Sequence, residues 1–280
     1  MNITITGNLG SGKSSVCKEL EQLGYTIVSA GDIFRQIAAE KQMTVIQLNE
    51  AAKKDRSIDD MLDNRSTQLG KEMDHTVFDS RLAWHFVENS FKVFLLVDTK
   101  EAARRVFDGV SRSAENYRNI DEARAGLEER ADLEQERFRH LYGIDYYDAG
   151  NYDLVIESTH ATPKQIAQEI LRNFERYQTQ PFSTKVEMNL KCLFPAQVCE
   201  KAECCEHQSE HLCMDDVISL TEKNGCYYVE HDDQRVLSAI AAGKVFAQIT
   251  NIRTNPQAQD KIRKLPEKSA YMVNFSKVFR

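Results

Sequence analysis

With 280 residues and a net charge of −7, the chain is long enough for one large or two ordinary domains and too acidic for the broad basic surface that a nucleic-acid backbone demands. No apolar run approaches the ~20 residues that cross a bilayer, and Met1–Thr6 enter the first expected strand directly with no secretory leader, so a soluble cytoplasmic protein is expected. The seven cysteines, an odd number, read as reduced thiols or metal ligands rather than as a disulfide framework.

In chain order, Ile3-Thr4-Ile5-Thr6 reads as a strand and Ser15–Leu20 as a helix. Between them, Gly7-Asn8-Leu9-Gly10-Ser11-Gly12-Lys13-Ser14 spells G-x-x-x-x-G-K-S. In this strand–loop–helix setting the pattern is a phosphate cradle: the glycines let backbone N–H groups turn inward, and the helix aims its positive end at the same point. The expected ligands are ATP and Mg²⁺. Gly7, Gly10, Ser11, Gly12, Lys13, Ser14 and Ser15 would bind the nucleotide, with the Lys13 ammonium on the β- and γ-phosphates and the Ser14 hydroxyl on the metal.

Further strands are expected at Tyr25–Ser29, His75–Asp79, Phe91–Asp98 and Tyr152–Glu157, alternating with helical stretches. That alternation predicts an α/β fold, a P-loop three-layer α/β/α arrangement on a five-stranded parallel sheet. Ligands belong beyond the carboxyl ends of the strands, where Gly31-Asp32, Asp79-Ser80-Arg81 and Asp98-Thr99 fall. Two helical inserts interrupt the sheet. Asp32–Gly70 carries Arg35, Asp59, Asp60, Asp63 and Arg65, and Lys100–Tyr142 is rich in arginine. Most of those arginines read as partners of Glu128, Glu129, Glu134 and Glu136 on a solvated helix. Arg130 and Arg137, seven apart and so on one face, are taken instead as catalytic cations closing over a transferring phosphoryl group.

Several stretches together carry a family resemblance. They are Ser29–Arg35, Ile58–Asp63, Asp79-Ser80-Arg81-Leu82-Ala83-Trp84, Arg130 with Arg137, and Leu141–Asp145 followed by Tyr152–Ile156. In this order over residues 1–176, the chain resembles the archaeal-type cytidylate kinases and their bacterial cytidylate-kinase-like relatives. The resemblance implies that Asp32, Arg35 and Arg81 hold an acceptor nucleotide, the two arginines forking onto its α-phosphate. It also implies that Asp60 and Asp63 lie near base and sugar, that Arg130 and Arg137 belong to a lid, and that Asp79 sits near the metal. Where the family usually carries Glu-Gly-Arg, this chain has Asp79-Ser80-Arg81. The absence of Asn-Lys-x-Asp speaks against a GTPase.

After a polar stretch at 178–184 the composition changes, and a smaller α+β domain is expected over 185–280 beside the kinase-like domain of 1–178. Cys199, Cys204, Cys205, His207, His211 and Cys213 pack six soft or borderline ligands into fifteen residues, a density compatible with structural zinc. Their spacing matches no standard C-x₂-C pair, so unliganded thiols are the alternative. Gly225–Lys244 reads strand, turn, helix and glycine cap, with a strand at Val245–Ile252; this order is similar to the ParB/sulfiredoxin-like fold, in which a turn ending in arginine binds a nucleotide phosphate. The basic residues of the tail, from Lys261 to Arg280, read as a solvated face. The expected activity is transfer from ATP to a nucleoside monophosphate, CMP or dCMP foremost. The alternatives are a small-molecule hydroxyl kinase using Asp32 or Asp79 as base, and a non-catalytic ATP-binding module. Expected partners are small nucleotides, with no membrane; the C-terminal partner is left open.

Overall fold

The computed structural model describes residues 1–52, 55–109, 117–194, 217–223, 226–229 and 233–254. The first strand, β1 (Asn2–Gly7), is buried along its whole length and leads through the glycine-rich loop into α1 (Lys13–Gln22). β2 (Thr26–Ser29) runs directly into α2 (Ala30–Glu40), which is followed by α3 (Val45–Ala52) and α4 (Ser57–Glu72). β3 (Thr76–Asp79) precedes the short α5 (Ala83–Phe86), and β4 (Ser90–Leu96) precedes α6 (Thr99–Asp108) and the long α7 (Ile120–Tyr142). β5 (Leu154–Glu157) and α8 (Pro163–Thr179) complete the expected set.

The helix starts are written in the sequence. Ser29 and Asp32 form a reciprocal capping box on α2, as Thr162 and Gln165 do on α8, where Pro163 occupies the first turn. Asp98 caps α6 by accepting from the amides of Lys100 and Glu101, and Asn119 caps α7. α7 ends at Gly143, whose φ of 70° a residue with a Cβ adopts only under strain.

The five strands lie parallel, as the alternation predicts, and their order is β2-β3-β1-β4-β5. Successive residues of β4 face opposite layers. Val93 and Leu95 pack with Val16 and Leu20 of α1 and Ile166, Ile170 and Phe174 of α8, whereas Phe94 and Leu96 pack with Tyr146, Tyr147 and Tyr152. Both faces are covered, which explains why Val93–Val97 is apolar without interruption. Asn2 anchors the end of α4 to the sheet: its amide donates to the carbonyls of Gly70 and Met73, and its oxygen accepts from the Thr76 amide.

The boundary expected near 178–185 falls between the end of α8 and β6 (Lys185–Asn189). Hydrogen bonding does not stop there. β6 pairs in parallel with β5, and the C-terminal strands β7 (Leu193–Phe194), β8 (Val217–Lys223), β9 (Cys226–Val229) and β10 (Phe246–Thr254) continue the same sheet. Among the described residues the order is β2-β3-β1-β4-β5-β6-β10-β8-β9-β7, with β10 antiparallel to β6. One core runs across the junction, from Phe94 and Val155 through Met188 and Ile218 to Val236 of α9 (Asp233–Ala241). The connecting stretch is anchored by Phe182, whose ring meets those of Phe91 and Tyr177 at 6.3 and 5.2 Å. The strand, helix and strand expected after residue 225 are β9, α9 and β10. The Cys199–Cys213 cluster and the tail from Lys261 lie outside the described residues.

Candidate active site

The glycine-rich loop takes its shape from two left-handed residues. Gly10 has φ 77°, and a Cβ there would meet Ala102 of α6 at 2.9 Å; Gly12, with φ 87°, caps α1. The Asn8 amide donates to Leu95 O at 3.1 Å, the Ser11 amide to Asn8 O at 3.2 Å and the Ser15 amide to Gly12 O at 2.9 Å. Among the described residues the amides of Gly10, Gly12, Lys13 and Ser14 meet no protein acceptor. The first turn of α1 contains no acidic residue, so nothing on that helix offsets its positive end. Unclaimed amides around an uncompensated helix start fit a polyphosphate. The Ser11 hydroxyl is buried beneath the loop near Gly7, whereas Ser14 and Ser15 are exposed on the first turn of α1.

Arg105 braces this loop from α6. Its guanidinium donates to Ser11 O at 3.3 Å, Ser158 O at 3.0 Å and Thr159 O at 2.8 Å, while its Nε meets Glu101 at 2.9 Å. One side chain therefore joins the phosphate loop to the segment after β5. Replacing Arg105 with alanine is expected to destabilise the fold by about 2 kcal/mol and to weaken ATP binding about tenfold, because a charged donor to three carbonyls is lost. Thermal denaturation and nucleotide titration of the same variant check this.

A charged cluster lies next to the loop. Thr6 Oγ1 donates to the carbonyls of Ser80 and Arg81, both at 2.9 Å, and so holds the turn after β3 against β1. From that turn, Arg81 Nη1 donates to Gly7 O at 2.7 Å, and its Nε lies 3.1 Å from Glu134 Oε2. Buried Tyr146 also donates to Gly7 O, at 3.1 Å. Burial, and then the neighbouring Arg81, lower the Lys13 pKa to about 8, with Asp79, Cys17 and Glu134 acting against the shift. Cys17 is buried beneath, and desolvation drives its thiol up, so it stays protonated.

The remaining candidates fall into smaller groups. Arg130 Nε donates to Glu134 Oε1 at 3.0 Å. Arg137 Nη2 donates to Asp59 Oδ2 at 2.6 Å, and the Tyr142 hydroxyl to Asp63 Oδ2 at 2.8 Å, so α7 is joined to α4 at two points. A cleft of about 780 Å³ between the inserts is lined by Phe34, Asn49, Asp55, Asp59, Arg137 and His140, among others. Asp32 accepts from the Ser29 hydroxyl at 2.6 Å and from Arg35 at 2.5 Å; the Ser29 bond is the main reason its carboxyl lies below the usual range. Arg35 is largely exposed, and exposed Asp60 pairs with Arg56 at 3.5 Å.

Lys13, Asp79 and Arg81 thus meet beside the loop, and Glu134 connects Arg130 to them, while Arg35, Asp60, Asp63 and Arg137 line the two inserts. In the sequence Glu134 reads only as an arginine's partner on a solvated helix, and Arg105 and Tyr146 belong to no motif. Glu134 sits four residues after Arg130, a spacing that reads as a surface pair, and its second partner is distant in sequence.

Desolvation raises Asp63 to about 6, partly offset by the Tyr142 hydrogen bond. The folded protein then holds a proton that the unfolded chain releases near pH 4, so this residue's contribution to stability declines as pH rises from about 4 to 6. Asp63→Asn keeps an acceptor for Tyr142 and removes the charge. Its melting temperature is expected to exceed that of the wild type at pH 7 and to match it at pH 4.

A family model described as the cytidylate kinase-like family matches residues 2–160, more than half of the chain. The chain belongs to that family. The resemblance drawn from the motifs is therefore borne out, and the protein is a phosphotransferase of the kinase class. A cytidylate kinase of Haloarcula marismortui is 36% identical over 180 residues, covering 63% of this chain and 91% of the relative. A cytidylate kinase of Natronomonas pharaonis is 37% identical over 166 residues, covering 58% and 83%. An S-adenosylmethionine-dependent nucleotide dehydratase of Lacinutrix mariniflava is 32% identical over 176 residues, 62% of this chain but only 36% of that protein. Among the described residues no group of His, Cys, Asp and Glu is arranged to hold a metal ion, and no helix is long and apolar enough to cross a membrane.

Proposed function

We propose that this kinase transfers the γ-phosphoryl group of ATP to a nucleoside monophosphate, with CMP or dCMP as the preferred acceptor. The observation that carries the reading is the meeting of Lys13 and Arg81 beside a loop whose amides are unclaimed. Those amides and Lys13 hold the donor phosphates, and Arg81 with Arg35 holds the acceptor phosphate. Arg130 and Arg137 come down from α7 over the transferring group. The 780 Å³ cleft, lined by Phe34, Asp59 and Arg137 among others, receives the acceptor nucleoside, and Asp60 and Asp63 follow Asp59 along α4.

The exposed Ser14 hydroxyl and the Asp79 carboxylate at the end of β3 fit a hard divalent cation, and they would hold Mg²⁺. When bound, the ion would supply charge neutralisation to the donor phosphates. The chain's own residues align and neutralise: the acceptor oxygen is already anionic, so no strong base is needed, and rate comes from positioning and fixed charge. Asp32, committed to its capping box and to Arg35, is poorly placed to serve as the base of a hydroxyl kinase.

A panel of nucleoside monophosphates and neutral alcohols incubated with ATP and Mg²⁺ tests the reading. CMP or dCMP is expected to turn over fastest. Turnover of neutral alcohols alone would reverse the assignment.

A further inference from the structure

Glu134 holds two arginines at once. Its Oε1 accepts from Arg130 Nε at 3.0 Å on its own helix, and its Oε2 lies 3.1 Å from Arg81 Nε on the turn after β3. The second contact is an ion pair without hydrogen-bond alignment: Oε2 is buried and receives no hydrogen bond among the described residues. The side chain is only 21% exposed, so water does little to solvate this oxygen. A buried carboxylate oxygen lacking a donor is costly to keep, and a phosphoryl oxygen meeting the same guanidinium head-on would be a better acceptor.

The charges around it explain why an anion is there at all. Burial, and after it the nearby Arg81 charge, disfavour the Lys13 cation, and Glu134 acts in the opposite sense, alongside Asp79 and Cys17. Without a bound polyphosphate, these cations need a counter-charge from the protein itself.

We propose that Glu134 is a resident anion standing in for substrate phosphoryl groups: it neutralises Arg81 and Arg130 in the unliganded protein, and yields Arg130 to the transferring phosphoryl group and Arg81 to the acceptor phosphate. The inference rests on reading the loop as a triphosphate site and adds to it a residue that sets affinity. It also ties the lid to ligand binding, since Arg130 and Arg81 sit on different elements and are released together.

Calorimetric titration of inorganic tripolyphosphate for the donor side, and separately of CMP for the acceptor side, into the wild type and Glu134→Gln at pH 7 is the test. The variant is expected to bind both about tenfold more tightly, because no carboxylate has to be displaced. Glu136→Gln, which removes the same charge from an exposed position on the same helix, is expected to leave affinity unchanged. With the Glu134 charge gone, the alkaline loss of tripolyphosphate binding should also move to lower pH, which a purely structural role would not produce. Equal or weaker binding by Glu134→Gln, with the wild type binding normally, would overturn the proposal. Failure of the wild type to bind either ligand would remove the triphosphate reading beneath it. If Glu134→Gln does not fold, Glu134→Asp provides the test: its shorter arm is expected to tighten binding about threefold, and unchanged affinity would count against the proposal.

Discussion

Lys13→Ala is expected to give a folded protein whose kcat/KM for phosphoryl transfer is lower by about 10³-fold or more, the scale at which fixed transition-state charges act. The fold survives because the site is relieved by the change. The ammonium is desolvated and feels the nearby Arg81 charge, both of which oppose its own charge, so its removal ends a repulsion. Linkage gives the same sign. With a pKa near 8 in the fold against 10.5 outside it, the unfolded chain binds more protons between those values, so stability rises with pH across that window in the wild type. The alanine variant lacks that rise. For activity, the cation is what matters: wild-type kcat/KM is expected to fall as pH rises through about 8, and kcat to fall only at higher pH, because bound phosphate returns the Lys13 pKa upward. Steady-state kinetics against pH, paired with thermal melts, check both halves. A variant keeping full turnover would contradict the role given to this residue.

The parts of this site visible in the sequence are those whose physics is local. G-x-x-x-x-G-K-S is contiguous, and its two left-handed glycines and helix start follow from neighbouring residues. β4 and β5 show as apolar runs because they are buried between layers, whereas the edge strand β2 is only partly buried. The capping box at Ser29 and Asp32 also has a local signature, serine followed three residues later by a carboxylate, and in the structure it accounts for much of what Asp32 does. The parts that were not visible depend on distant pairings. Arg105 finds its carbonyl partners 53, 54 and 94 residues away, and nothing in its own helix marks it out from Arg104, which pairs with Glu101 and Asp108 on the surface. Glu134 is ambiguous for the same reason: its near partner Arg130 is at the spacing of an ordinary solvated pair. The C-terminal strands show the same limit at the scale of the sheet. β10 pairs with β6 across some 60 residues, so strand periodicity identified the elements without showing which edge they join.

Arg81→Lys is expected to lower kcat/KM about 10²-fold while costing only about 1 kcal/mol of stability. The guanidinium does two things at once in different directions: Nη1 donates to Gly7 O, and Nε faces Glu134. An ammonium is a single point on a longer tether and cannot span both, so a forked grip on a phosphate is lost even though the formal charge is retained. The charge is also insecure, since a lysine buried beside Lys13 has its pKa pushed down by both desolvation and its neighbour, whereas the arginine stays ionised. The fold suffers little because Gly7 O keeps its second donor, the Tyr146 hydroxyl, and is not left unsatisfied. The loss should therefore appear mainly in kcat, with a smaller rise in KM for the acceptor, and the residual activity should fall away at lower pH than in the wild type. Tyr146→Phe supplies the counterpart: Arg81 alone then satisfies Gly7 O, turnover changes by no more than a few-fold, and the stability loss of the double variant exceeds the sum of the two single losses because the carbonyl is left with neither donor. Additive melting shifts in that cycle would show that Arg81 and Tyr146 do not share Gly7 O in the way the geometry requires.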